Sequence, residues 1–279
     1  MGNLTWTILL LSITVIWGWT FPMVKDAVTV YGVLSFLALR FVIGAAALSP
    51  LAARRITRRS LPIGGLLGIA LAGGYLLQTF GLRYTTATNC GLITGLFAVF
   101  TLLANRLLFG VRARPMSWAT VGLSMLGLAL LMATGPSWPT IGDLLTLGGA
   151  ACFGVQIALL DRFAKHHDAT ALALLQVSTA ALIFLLAWPL AEPLQWPTAN
   201  VWPALAITGI LATAVGFYVM TGAQQHLPAV RAVLIISLEP VFAVFFGYLL
   251  AGDRLEPLQI AGAVLMIGAV MLAEILAAR

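Results

Sequence analysis

The sequence predicts an all-α polytopic membrane protein, with ten transmembrane helices arranged as two inverted-topology five-helix repeats. Three observations predict it. The 279 residues are 61% hydrophobic and only 9% charged, with a mean hydropathy of +1.02, whereas roughly a quarter of the residues of a soluble protein are charged. Ten apolar runs, each near the about 20 residues that a spanning helix needs, lie between charge, Pro and Gly punctuation. Finally, the chain matches itself at an offset of 142 positions.

The runs are roughly 5–25, 31–53, 62–82, 87–109, 115–134, 142–164, 169–191, 202–225, 229–251 and 257–277. Met1 to Thr5 carries no basic residue and no small-residue cleavage pattern follows, so the first run is expected to be a span and not a cleaved signal. Pro62, Pro115, Pro203 and Pro257 sit at or near span starts, where the missing N–H has no intrahelical acceptor to lose. The short remaining loops leave no room for a soluble domain.

The net charge of +6 sorts by loop. With the N-terminus inside, the cytoplasmic side holds Arg54, Arg55, Arg58, Arg59, Arg106, Arg112, Arg114, Arg162, Lys165, Arg231 and Arg279, while the opposite side holds Lys25, Arg83 and Arg254. That bias, eleven against three, implies that both termini are cytoplasmic, and the expected location is a bacterial-type inner membrane. The basic excess therefore marks topology and implies no nucleic-acid partner. Trp6, Trp118, Trp138, Trp188, Trp196 and Trp202 lie at span ends or in short loops, as an interfacial belt requires.

At the 142-residue offset Ala87 matches Ala229, Leu92 matches Leu234, Ile93 matches Ile235 and Leu96 matches Leu238. Gly74/Gly216, Thr79/Thr221 and the Gly-x-Arg-x-x-Pro links at 110–115 and 252–257 follow the same offset. The links lie outside the apolar runs, so duplication explains them better than chance does. The expected division is residues 1–136 and 137–279. Five spans per repeat is odd, so the halves insert in opposite orientations, as in secondary transporters with a midplane site.

The run Trp17-Gly18-Trp19-Thr20-Phe21-Pro22, the segment Leu238-Glu239-Pro240-Val241, then Gly252-Asp253-Arg254 and Gly262 resemble the drug/metabolite transporter superfamily with its paired EamA repeats. Within it the chain is most similar to the YddG-type amino-acid exporters. The resemblance covers nearly the whole chain. It implies ten helices, a central cavity and export of amino acids, aromatic ones among them, and related metabolites. Phe97-Ala98 stands where the second half has Glu239-Pro240, a departure from the family's pattern, so the resemblance implies no symmetrical role for the two positions.

Polar groups at membrane depth should face a cavity or the bundle interior. Glu239 and Arg40 are the mid-span charges. Glu239 reads as a proton carrier, a partner for a substrate ammonium, or a structural acceptor or salt-bridge partner of Arg40, and its pairing with Pro240 favours the structural role. Glu239→Gln is then expected to impair folding more than pH dependence. Pro240 and Pro22 free the carbonyls of Ile236 and Gly18, so spans nine and one should kink, with Gly18 and the Gly73-Gly74 pair as further hinge positions. Hinge and plain packing both fit these residues.

Trp17 and Trp19 point to different faces, and Trp17, deeper and before the kink, is the cavity candidate; lipid-facing or packed placement is the alternative. Tyr75 and Tyr218 are offered at similar depth in spans three and eight, forming aromatic walls. Gln78, Thr79, Asn89, Gln156 and Ser237 could hydrogen-bond the ends of a zwitterion. Gly91, Thr94, Ala98, Thr101 and Asn105 form a small-residue stripe on span four that should pack against span nine, with Thr94 and Thr101 also counted as cavity candidates.

An enzyme would need clustered catalytic groups, and no span holds them. No Walker-type loop is present. Cys90 and Cys152 lie in apolar runs and His166 and His167 in a short loop, so neither a metal nor a cofactor is expected. The reading is a monomeric secondary exporter of small neutral amino acids, embedded in the lipid bilayer and working by alternating access. A multidrug-cation exporter of the same fold, or a passive metabolite channel, is the alternative. Because so few charges are buried, recognition is expected to proceed largely without ionic groups.

Overall fold

The computed structural model describes residues 2–112, 114–133, 140–251 and 256–277. Trp138, Arg279 and the Gly252-Asp253-Arg254 motif lie outside them. Every regular element among the described residues is helical.

The helices follow the apolar runs. They are α1 (Asn3–Val30), α2 (Val33–Ala52), α3 (Ser60–Leu82), α4 (Ala87–Thr94), α5 (Phe97–Phe109) and α6 (Pro115–Met132). Then come α7 (Ile141–Phe163), α8 (Ala169–Ala191), α9 (Trp202–Ala206), a π-helical stretch (Ile207–Val215) and α10 (Gly216–His226). Last are α11 (Ala229–Ile236), α12 (Glu239–Ala251) and α13 (Pro257–Ala277). Among the described residues eight segments are long and apolar enough to cross a membrane, and Pro115–Leu130 and Ile260–Ala269 are shorter apolar helices. With no water in hydrocarbon, the chain satisfies its backbone internally by staying helical.

Local chemistry sets the ends. The Thr86 hydroxyl accepts the Asn89 N–H at the start of α4 (3.0 Å), and Thr140 with Asp143 forms a reciprocal capping box on α7. Gly110, at φ 65°, closes α5 in the left-handed conformation. Pro115 opens α6 and Pro257 opens α13.

Two apolar segments are interrupted rather than straight. Span four breaks at Gly95-Leu96 and span nine at Ser237-Leu238. Both breaks are tight turns that keep backbone bonds, such as Val99 N–H to the Leu96 carbonyl (3.0 Å) and Val241 N–H to the Leu238 carbonyl (2.9 Å). The bounds of α4 and α5 recur in α11 and α12 at the 142-residue offset, breaks included. The kink expected at Pro240 thus falls just before it, whereas α1 runs as one helix through Pro22 and α3 as one helix through Gly73 and Gly74. In α3 those two glycines act as packing positions: a Cβ on Gly74 would lie 2.5 Å from the Phe153 ring, and one on Gly73 would lie 3.2 Å from the Cys152 sulfur.

Helices of the first half pack on helices of the second: α1 on α12, α2 and α3 on α8, α3 on α7, and α6 on α13. Small residues set the spacing. Gly18 and Gly91 both face Ala243, and Gly95 faces the Pro240 ring. The small-residue stripe therefore divides. Its upper part meets span nine as expected, but Gly154 of α7 sits against Phe100 and Thr101, and the Asn105 amide donates to Asp161 (3.4 Å). The reason is the break at Gly95-Leu96, which ends the straight stripe.

Polar links tie the halves together. The Glu192 carboxylate, just past α8, accepts the Leu34 N–H (3.1 Å), the Ser35 N–H (3.0 Å) and the Ser35 hydroxyl (2.6 Å) at the start of α2. An anion there satisfies otherwise orphaned N–H groups and complements the helix dipole. Outward faces carry exposed Ile8, Ile69, Leu186 and Val264, the apolar exterior that lipid, and not water, stabilises.

Candidate functional site

A cavity of about 60 Å³ lies among α1, α2, α3, α4, α5, α7, α10, α11 and α12, at the interface between the halves. Its wall is aromatic, and its polar groups come from separate helices.

Six rings line the cavity: Trp17, Phe21, Tyr75, Phe97, Phe153 and Phe217. Tyr75 packs edge-on against Phe153 (5.2 Å between centroids) and Phe217 (6.1 Å), and Trp17 lies 5.9 Å from Phe217. Glycines admit the rings: Gly74 leaves room for Phe153, and Gly216 for Trp17, whose indole nitrogen would be 3.1 Å from a Cβ there. The Trp17 N–H donates to the Ala212 carbonyl (2.8 Å) of the π-helical stretch, a widened turn of the kind that re-aims groups at functional sites.

The same stretch holds a charge. Arg40, 3% exposed, donates from Nε to the Thr213 hydroxyl (2.9 Å) and from Nη2 to the Tyr75 hydroxyl (3.2 Å), with its guanidinium 4.5 Å from the Tyr75 ring centroid. Glu239, 7% exposed and first in α12, lines the same cavity. Among the described residues its carboxylate has neither a hydrogen-bond partner nor an ion pair within 4.0 Å. The expected structural acceptor or Arg40 salt bridge is therefore not formed: Arg40 is turned to Thr213 and Tyr75 instead. Both mid-span charges line the cavity, which corrects the expectation of a site largely without buried ionic groups.

Of the uncharged candidates, Gln78, Thr79, Thr94 and Gln156 join Trp17 and Tyr75 in the wall. The Gln78 amide donates to the Thr94 hydroxyl (2.9 Å), which donates to the Cys90 carbonyl (2.7 Å). The Gln156 amide donates to Gln176 (2.8 Å), whose own amide donates to Thr221 (3.0 Å), so three helices share one buried chain of bonds.

Four candidates fall elsewhere. Tyr218 is 37% exposed and turned toward Trp6, at 6.5 Å between centroids. Its neighbour Phe217 takes the cavity position, because the 142-residue offset maps Tyr75 onto 217 and one residue turns a helix by about 100°. Ser237 sits in the break, its hydroxyl bonded to the Leu234 carbonyl (2.8 Å) and near Ser124 (3.2 Å). Thr101 bonds back to the Phe97 carbonyl (2.8 Å), and Asn89 lies in the first turn of α4. Trp19 borders a different space, beside Pro22 and Lys25, in keeping with the two-face reading of the Trp pair.

Phe21, Phe97, Phe153 and Phe217 line the cavity without being candidates on sequence grounds. The offset pairs Phe97 with Glu239 and Phe217 with Tyr75, so the signal was present for two of them. Phe153 had none. Among the described residues no group of three or more His, Cys, Asp or Glu side chains could hold a metal.

The EamA-like transporter family model matches the chain twice, over residues 4–133 and 140–274. An uncharacterized transporter of Archaeoglobus fulgidus is 32% identical over 266 residues, covering 94% of this chain and 83% of the relative. The threonine/homoserine exporter RhtA of Escherichia coli is 29% identical over 263 residues, covering 90% and 83%. A probable terminal-alkyne amino-acid exporter of Streptantibioticus cattleyicolor is 26% identical, covering 98% and 93%. A solved crystal structure superposes with a TM-score of 0.79 at 22% identity over 99% of both chains, which supports the fold. These relatives are transporters and not enzymes, and the two family matches together span nearly all of the sequence. The chain belongs to the EamA-like transporter family.

Proposed function

We propose that this protein is a secondary transporter of the bacterial plasma membrane that exports neutral amino acids, aromatic and other small ones, by alternating access. On this reading ten helices cross the membrane as two inverted repeats, both termini are cytoplasmic, and the monomer is the working unit. The observation that carries it is a central cavity built from both halves, walled by rings, with polar groups of both charges at membrane depth. The shared bounds of α4/α5 and α11/α12 support the inverted repeat, since midplane sites with interrupted helices are a feature of such carriers. Two relatives bear the names of amino-acid exporters, which supports the substrate class.

Trp17, Tyr75, Gln78, Thr79, Thr94 and Gln156 are the proposed substrate contacts, supplemented by Phe153 and Phe217. Ring faces and edges suit apolar side chains by dispersion and stacking. A second reading, export of organic cations, is favoured by one observation: the unpartnered Glu239 carboxylate beside aromatic rings. Proteoliposomes separate the two. Labelled phenylalanine and threonine should enter in a protein-dependent, saturable manner that excess unlabelled amino acid blocks and a quaternary ammonium compound does not. Flux blocked by the ammonium compound alone would select the second reading, and unsaturable flux would select a channel.

A further inference from the structure

We propose that Arg40 and Glu239 form a two-pole clamp for the head of an amino acid, the guanidinium taking the α-carboxylate and the Glu239 carboxylate taking the α-ammonium. The clamp rests on the amino-acid reading above and assigns its chemistry to named atoms.

The first support is the arrangement of charge. Arg40 and Glu239 are both buried and line one cavity, yet no ion pair within 4.0 Å joins them. Two opposite charges left apart in a weakly polar interior are costly unless something between them answers both. A zwitterion does so with no change in net charge. A lone cation would answer Glu239 and leave Arg40 unmatched, and a lone anion would do the reverse. The site thereby rejects single-pole ligands by the charge they leave unpaired.

The second support is how each pole is held. A guanidinium carries five N–H donors. The bonds to Thr213 and Tyr75 use Nε and Nη2 and, with the Tyr75 ring beneath, fix the plane of the group. Nη1 has no partner among the described residues, so donors remain for a carboxylate, the geometry that arginine binds best. Glu239 is an acceptor without a donor, at the opening turn of α12 and after the break at Ser237-Leu238. The two poles thus stand on elements of opposite halves, α2 and α12. With the head so placed, the side chain lies against Trp17, Tyr75, Phe153 and Phe217.

The test is a competition series in proteoliposomes. Phenylalanine is compared with phenethylamine, which lacks the carboxylate, and with 3-phenylpropanoate, which lacks the ammonium. If threonine is carried faster, 1-amino-2-propanol and 3-hydroxybutanoate serve instead. The wild-type protein should prefer the amino acid to either analogue by about a hundredfold or more. Glu239→Gln should move the ratio toward the carboxylate analogue by about tenfold, and Arg40→Gln should move it toward the amine by a similar factor. Ratios are read within each protein, so a lower yield of a variant does not alter them. Should Arg40→Gln not fold, the wild-type series and Glu239→Gln decide. Amino-acid flux with wild-type acceptance of a single-pole analogue, or with ratios unchanged in Glu239→Gln, would overturn the clamp alone. Absence of any amino-acid flux would overturn the amino-acid reading and the clamp with it.

Discussion

Gly18→Leu is expected to give the largest loss of stability of any single change. A Cβ on Gly18 would lie 2.6 Å from the Phe242 Cβ, 2.9 Å from the Ala243 nitrogen and 3.0 Å from the Phe242 carbonyl carbon. These are backbone or backbone-adjacent atoms of α12, so no rotamer change relieves the overlap. α1 and α12 must move apart, and Gly91 and Gly95 share the same helix as their neighbour. Overpacking of this kind costs typically about 1–3 kcal/mol or more, which in a domain of this size lowers the melting temperature by several degrees. Melting of the detergent-purified variant should show this, together with reduced yield. Melting within about one degree of the wild type would contradict the close approach of α1 to α12.

Gly74→Val is expected to do the opposite, leaving the fold and removing the function. Its added Cβ would meet the Phe153 ring edge, at 2.5 Å from Cε1 and 2.6 Å from Cδ1. A ring edge can swing, and the space open to it is the cavity that Phe153 already lines. With about 60 Å³ available, the displaced ring takes room that a substrate needs. Transport should fall about tenfold or more, the effect of roughly 1.4 kcal/mol, with melting near that of the wild type. Gly73→Ala is the control, because its neighbour, the Cys152 sulfur at 3.2 Å, does not line the cavity. Wild-type transport by folded Gly74→Val would place the substrate route elsewhere.

The contrast between these neighbouring glycine contacts also shows what the sequence made legible. Spans are one-dimensional features: each apolar run became a helical segment because hydrocarbon forces local backbone satisfaction. The 142-residue offset was equally legible, and it foretold the register of α4/α5 against α11/α12. It also held information that single residues hid, since it maps Tyr75 onto Phe217 and not onto Tyr218.

Three features were not legible. The break at Gly95-Leu96 has no proline to announce it, and the π-helical stretch at Ile207–Val215 reads as an ordinary apolar helix. The separation of Arg40 from Glu239 is a three-dimensional fact: two mid-span opposite charges in a sequence suggest a salt bridge, and only the Thr213 hydroxyl and the Tyr75 ring explain why Arg40 turns elsewhere. The sequence candidates that line the cavity, Trp17, Tyr75, Gln78, Thr79, Thr94 and Gln156, are all polar or aromatic groups deep in a span. Tyr218 lies off the cavity because its helix phase is one residue from that of Phe217.

The central claim is that one cavity, opened alternately to each side, carries a neutral amino acid. Substrate counterflow tests it most directly. Proteoliposomes loaded with millimolar unlabelled amino acid and diluted into trace labelled amino acid should accumulate label transiently above equilibrium, because the unlabelled amino acid inside competes for the lumen-facing site and slows the return of label. Accumulation should be lost with Gly74→Val. Label that rises only to equilibrium, at a rate indifferent to the internal amino acid, would contradict the account.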